Sequence, residues 1–315
     1  MVVMKSKRFE QRILEHIRPM QKPDNWRNFV YLLRDYCLIA LSIALYKIYP
    51  SIGTYLLTVL LIGSRMRAFD NLTHESSHKM LFTNPRLNYW IATLFCAFPV
   101  GTSTSTYWQS HMDHHKWLGN PERDPDLIRY QSLNVDRFPV PYREMVFHLL
   151  KVFCLTHVPK YLYGTLQSFV LSSDTPRSER IARTLFWITV FTVLTAFNLW
   201  HDFLLFWVIP FLTSFQILRY LSEISEHGGL YSAEHTIELA RNNFCHPVLR
   251  FILYPHGDFY HLVHHLFPAI PHYNLGPAHQ ILLEDSEYQQ AHHCYGYFYS
   301  SDPNQKSTLG EMILK

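Results

Sequence analysis

The chain has 315 residues, a net charge of +3 at neutral pH and a mean hydropathy of −0.07. That length fits one or two soluble domains, or one membrane domain with cytosolic structure attached, and the small net charge gives no reason to expect nucleic acid. The five cysteines (Cys37, Cys96, Cys154, Cys245, Cys294) form no C-x-x-C pair, so neither a zinc ribbon, a cysteine-ligated iron–sulfur cluster nor a disulfide framework is indicated; the compositional oddity is the 20 histidines.

In chain order, residues 1–28 (MVVMKSKRFEQRILEHIRPM…) have no apolar core of the kind a cleavable signal needs and read as a basic amphipathic segment lying at a membrane surface. Two apolar hairpins follow. The first has arms at about residues 29–48 and 54–70, joined by a turn at Pro50-Ser51-Ile52-Gly53; the second has arms at about 181–200 and 203–220, with a break near His201-Asp202 and a kink expected at Pro210. The stretches LNYWIATLFCAFPV and MVFHLLKVFCLTHVPKYLYGTL are interrupted or short, and are expected to lie on or dip into the interface. Residues 291–315 form a polar tail. Buried helices of a soluble α-protein are the alternative. The pairing of arms with short turns disfavours it, as does charge: of the Lys and Arg residues, only Lys47 falls near a hairpin turn. By the positive-inside rule both termini and the middle region face the cytoplasm. The predicted architecture is an all-α membrane protein with four transmembrane helices in two hairpins, and with residues 29–290 forming one membrane domain.

The histidines concentrate in four places: His74 and His78 in HESSH; His111, His114 and His115 in HMDHH; His227 in SEHGG; and His261, His264 and His265 in HLVHH. Residues three and four apart share a helical face, so each box can aim its imidazoles at one point. HESSH alone matches the H-E-x-x-H of zinc proteases, with Glu75 as base, but a zinc site needs only three protein ligands and leaves both HxxHH boxes unexplained. Nine imidazoles suit two metal ions; by ligand type these fit iron, copper, nickel or zinc. A metal-transporting membrane protein is the non-enzymatic alternative.

These boxes, in this order and approximate spacing, resemble those of the membrane fatty acid desaturase/hydroxylase superfamily, as do the flanks GNPERDPD and HHLFPAIPHYNL. The resemblance covers roughly residues 30–290. It implies a cytosolic helical cap carrying a non-haem centre of two iron ions, with O₂ as co-substrate and a fatty acyl or lipid-like substrate. The implied ligands are His74, His78, His111, His114, His115, His227, His261, His264 and His265. Relatives with an Asn four residues before the lone histidine differ from this chain, which has Glu223 there: a carboxylate ligand, a base behind the ligands, or a solvated helix residue. Glu75, Asp113 and Glu226 adjoin ligands, and Asp124, Asp126 and Asp258 lie close in sequence; such carboxylates orient metal-bound imidazoles. Tyr107 and Trp108 line a substrate tunnel or belong to an interfacial aromatic belt. His256, His272, His292 and His293 fall outside the boxes. With no dinucleotide fingerprint and no haem-binding HPGG, electrons are expected from a ferredoxin or cytochrome b5-type donor docking on the cytoplasmic face. Desaturation is the favoured outcome, with hydroxylation or ketolation (carotenoid-type substrates included) and decarboxylation to a terminal alkene as alternatives.

Overall fold

The computed structural model describes residues 7–167, 171–231, 236–300, 302 and 304–314. It is mostly helical. In chain order the helices are α1 (Gln11–Ile17), α2 (Arg27–Ile48), α3 (Ile52–Ser77), α4 (Pro85–Ala92), α5 (Thr104–Trp117), α6 (Pro125–Leu133), α7 (Tyr142–Phe153), α8 (Val158–Thr165) and α9 (Arg177–Ala196). They continue with α10 (Trp200–Phe203), α11 (Ile209–Leu212), α12 (Ser214–His227), α13 (Pro247–Leu253), α14 (His261–Leu266), α15 (Leu275–Leu282), α16 (Ser286–Gln290) and α17 (Thr308–Glu311). Two short strands, β1 (Asn242–Phe244) and β2 (His293–Tyr295), pair in parallel with Asn243 opposite Cys294.

The chain forms two compact units. The first comprises residues 24–109 and 154–219; the second comprises 1–23, 110–153 and 220–315. In the first unit, α2 and α3 pack side by side around Leu32, Ile39, Ile62, Met66 and Phe69. α3 starts where the sequence places the turn: the Ser51 hydroxyl accepts the Thr54 amide at 3.1 Å, and the Thr54 hydroxyl accepts the Ser51 amide at 3.1 Å. Gly63 lets α3 approach the start of α12, because a Cβ there would sit 2.2 Å from the Ser214 hydroxyl. Leu33, Leu41, Ile48, Ile52 and Leu56 face outward, while Asp35 and Arg65 pair inside at 2.9 Å, both fully buried. Apolar outside and charge inside is the reverse of a water-soluble helix pair.

Among the described residues, three helical stretches are long and apolar enough to cross a membrane: Arg27–Ile48, Ile52–Ser77 and the continuous run Trp200–His227. α9 is helical where an arm was expected, but its first seven residues contain Arg177, Glu179, Arg180 and Arg183, which shortens its apolar run. It ends at Ala196. The break expected near His201-Asp202 falls earlier, at Phe197–Leu199, where Asn198 takes a left-handed conformation (φ 55°) open to Asn at low cost. The kink expected at Pro210 takes the form of a π-helical turn over Leu204–Val208, the adjustment a helix makes when proline supplies no amide hydrogen. α3 runs without interruption to Ser77, so the first histidine box ends the second arm's own helix.

In the second unit, α1 lays Ile13 and Ile17 against Leu262, Val263, Ala278 and Leu282. Its apolar face is therefore spent inside the protein. The residues beyond 291 are folded in as well, through β2 and through Glu311, which pairs with Arg241 at 3.1 Å.

Candidate metal centre

Three helical segments bring seven of the nine predicted histidines together within the second unit. α5 supplies His111, His114 and His115, α12 supplies His227, and α14 supplies His261, His264 and His265. All but the half-buried His115 are buried. Their nitrogens converge on two foci. At one, Nε2 of His115 lies 3.0 Å from Nε2 of both His111 and His264. At the other, Nε2 of His261 lies 2.9 Å from Nε2 of both His227 and His265, and the nearest nitrogens of His114, His227 and His265 gather within 4.8 Å. Two nitrogens bound to one metal at about 2.1 Å and at right angles are about 3.0 Å apart. Three imidazole nitrogens crowded this closely cannot be satisfied by shared protons alone, whereas a cation at each focus satisfies all of them. The donor set thus fits metal.

Partners behind the rings fix which nitrogen points inward. The Asp124 carboxylate takes His114 Nδ1 at 2.8 Å and is itself held by the amides of Gly119, Asp126 and Leu127, the last two at the start of α6. Burial alone would lower the His114 pKa; the charge of Asp126 and the bond to Asp124 outweigh it and raise the ring above the usual histidine value. His227 Nδ1 donates to the Leu239 carbonyl at 2.7 Å. Burial, followed by the neighbouring imidazoles, holds His265 well below the usual value, so it stays neutral and able to bind metal.

The predicted carboxylates divide. Glu226 comes among the ligand-capable groups, with Oε2 3.9 Å from His261 Nε2, and the Ser222 hydroxyl lies within 3.2 Å of both Glu226 and Asp258. Glu223 instead faces Arg129 at 3.4 Å, and Arg129 also holds Asp126 at 3.1 Å. Asp113 is half-buried on α5. In the first unit, Glu75 is buried within α3, and His74 and His78 stand edge to face at its end, ring centroids 5.3 Å apart. Trp108 donates its indole N–H to the Ser76 hydroxyl, between those two histidines in sequence, at 2.9 Å.

Sequence reasoning passed over Asn242. Its carboxamide oxygen accepts the amides of Leu262 and Val263, in the first turn of α14, at 3.1 and 3.4 Å. Its nitrogen reaches the Tyr288 hydroxyl at 3.0 Å and His293 Nδ1 at 3.1 Å. The Tyr288 hydroxyl donates to His279, which burial and then His293 push down to about 4, leaving a neutral acceptor. No local spacing announces this network, because its members lie up to 51 residues apart.

A family model described as fatty acid desaturase matches residues 50–297. A dihydrorhizobitoxine desaturase of Bradyrhizobium elkanii is 33% identical over 299 residues, covering 91% of this chain and 84% of that protein. Sphingolipid delta(4)-desaturase/C4-monooxygenases of Homo sapiens and Bos taurus are 28% and 27% identical over 228 residues, each covering 70% of this chain and 64% of the relative.

Proposed function

The chain belongs to the membrane fatty acid desaturase superfamily and is an oxidoreductase, and from that premise we propose that it removes hydrogen from an unactivated C–H bond of a fatty acyl or lipid-like substrate, using O₂ at a pair of iron ions. The observation that carries this reading is the convergence of imidazole nitrogens on two foci. The proposed ligands, assigned by motif, are His74, His78, His111, His114, His115, His227, His261, His264 and His265. The transport alternative is set aside, because the family is one of enzymes.

When bound, two iron ions supply the O₂ activation that no side chain can perform. The chain's own residues do the rest. Asp124 and the Leu239 carbonyl hold His114 and His227 with Nε2 inward. Arg129 steadies Asp126 and Glu223, so Glu223 acts behind the ligands, not as one of them. Glu226 brings a negative charge beside His261, which favours a cation at that focus. In this reading the chain has four spans in two hairpins, α9 being the third, and the centre faces the cytoplasm. There α7, with Phe147, Leu150 and Phe153 exposed, lies on the bilayer surface. Residues 29–290 make the membrane domain, and a ferredoxin or cytochrome b5-type protein supplies electrons.

Desaturation is the outcome we favour. Hydroxylation is the second reading, because the human and bovine relatives carry both a desaturase and a monooxygenase in their names. Mass spectrometry of lipids from cells expressing wild type or His114→Ala tests both. A wild-type-specific product lacking two hydrogens supports desaturation, and one gaining an oxygen supports hydroxylation. Identical profiles in every lipid class would contradict the proposed substrate class.

A further inference from the structure

The first unit carries an aromatic pair that the proposed ligand set does not use. Tyr89 on α4 lies edge to face with Trp108 on α5, ring centroids 5.2 Å apart, and Trp90 also stands 5.2 Å from Tyr89. Trp108 is anchored to Ser76, between His74 and His78 in sequence, and precedes His111 by three residues on its own helix. The Tyr89 hydroxyl donates to the carboxylate of Glu179, a fully buried residue that also accepts the Ser105 amide at 3.2 Å. Burial, followed by this carboxylate, raises the Tyr89 pKa, so at rest the phenol keeps its proton.

We propose that Trp108 and Tyr89 form a one-electron relay that drains oxidising equivalents from the first histidine box, with Glu179 as the proton acceptor. The inference rests on the iron-centre reading above for its oxidant: an over-oxidised iron centre, left when O₂ is consumed without substrate. Trp108 gives up one electron to it and becomes an indole radical cation that keeps its N–H bond to Ser76. Tyr89 returns one electron to Trp108. Its O–H bond breaks, the proton passes to the Glu179 carboxylate, and a neutral phenoxyl radical remains. An oxidised phenol binds its proton far more weakly than a neutral one, so a carboxylate already bonded to the hydroxyl makes this step favourable. The external one-electron donor then reduces the phenoxyl radical, and Glu179 returns the proton. The imidazoles of the cage are spared oxidation in each such cycle.

Two arms test this with the full-length chain in detergent. In the first, the metal-free protein is flash-oxidised with a ruthenium polypyridyl sensitiser and one-electron quencher, and radicals are read by electron paramagnetic resonance. Tyr89→Phe, which keeps the ring on Trp108, should remove most of the tyrosyl signal and leave an indole signal. Glu179→Gln removes the proton acceptor and should slow tyrosyl formation by at least about tenfold, the factor that each unit of lost proton affinity brings. Tyr288→Phe and Tyr220→Phe, whose hydroxyls also meet imidazoles, should leave the signal unchanged. An undiminished tyrosyl signal in Tyr89→Phe would overturn the relay. In the second arm, reduced iron-loaded protein is mixed with O₂ without substrate and freeze-quenched. A Tyr89-dependent radical ties the relay to the centre. Its absence in protein that has taken up iron would overturn the relay, whereas a chain that takes up no iron would count against the iron-centre reading instead.

Discussion

Asp124 illustrates how one buried carboxylate does two jobs. It starts α6 by accepting the amides of Asp126 and Leu127, and it fixes the ring of His114. An Asp124→Asn variant retains the first role in part, because an amide oxygen still caps a helix, but it loses the charge that holds the Nδ1 proton. Metal affinity should fall about 10- to 100-fold, in the range seen when such outer partners are removed, while helix content stays unchanged; metal titration with circular dichroism on the same sample checks both. Asn242 makes a sharper case. Each of its polar atoms is used, and two of its four bonds hold the first turn of α14. Asn242→Ala should destabilise the protein by about 2 kcal/mol, since buried partners are left unsatisfied, and should lower bound metal even below the melting temperature. Thermal melts and metal analysis at fixed temperature separate the two effects; full metal content in the variant would show that α14 needs no such anchor.

At the scale of elements, the sequence recorded what repeats within a helical turn and missed what depends on partners far along the chain. The i, i+3, i+4 spacing of His111, His114 and His115 and of His261, His264 and His265 is local, and both boxes are helical. The apolar runs of α2 and α3 and the turn at Ser51 were legible for the same reason. The division of the nitrogens into two foci was not, because it depends on how α5, α12 and α14 meet. Nor was the fate of α1, whose amphipathic pattern serves a protein core as well as a membrane surface. The C-terminal tail looked featureless because its key contact is long-range: Glu311, with Arg241 and His292. Burial opposes the Glu311 charge, but the bond to His292 and the charge of Arg241 prevail, lowering its pKa from 4.5 to about 2. A carboxyl depressed in the folded state stabilises above its unfolded pKa and loses that contribution as pH falls through the folded one. The stabilisation, at most about 3 kcal/mol, is present above about pH 4.5 and fades toward pH 2. Glu311→Gln should therefore melt lower than wild type near neutral pH, and the gap should close on acidification through that window. A gap independent of pH would mean that the ion pair is not its source.

At the scale of the molecule, family membership follows from motifs that any reader of the sequence can find, whereas the membrane topology rests on physical argument. Outward-facing Leu33, Leu41 and Leu56, set against the internal Asp35–Arg65 pair, require an apolar surrounding for the first unit. The protein should accordingly stay in the membrane pellet through an alkaline carbonate wash, and recovery in the supernatant would contradict its being a membrane protein. Substrate identity was not legible at all, since histidine boxes specify the oxidant and not the molecule presented to it. The most direct test of the central claim is the metal content of the purified chain, read by elemental analysis and Mössbauer spectroscopy in wild type and in His265→Ala. Two iron ions per chain in the wild type, falling by at least one in the variant while the protein remains folded, is the expected result. A single bound metal ion, or a full complement of iron in His265→Ala, would contradict the paired centre built from these histidines.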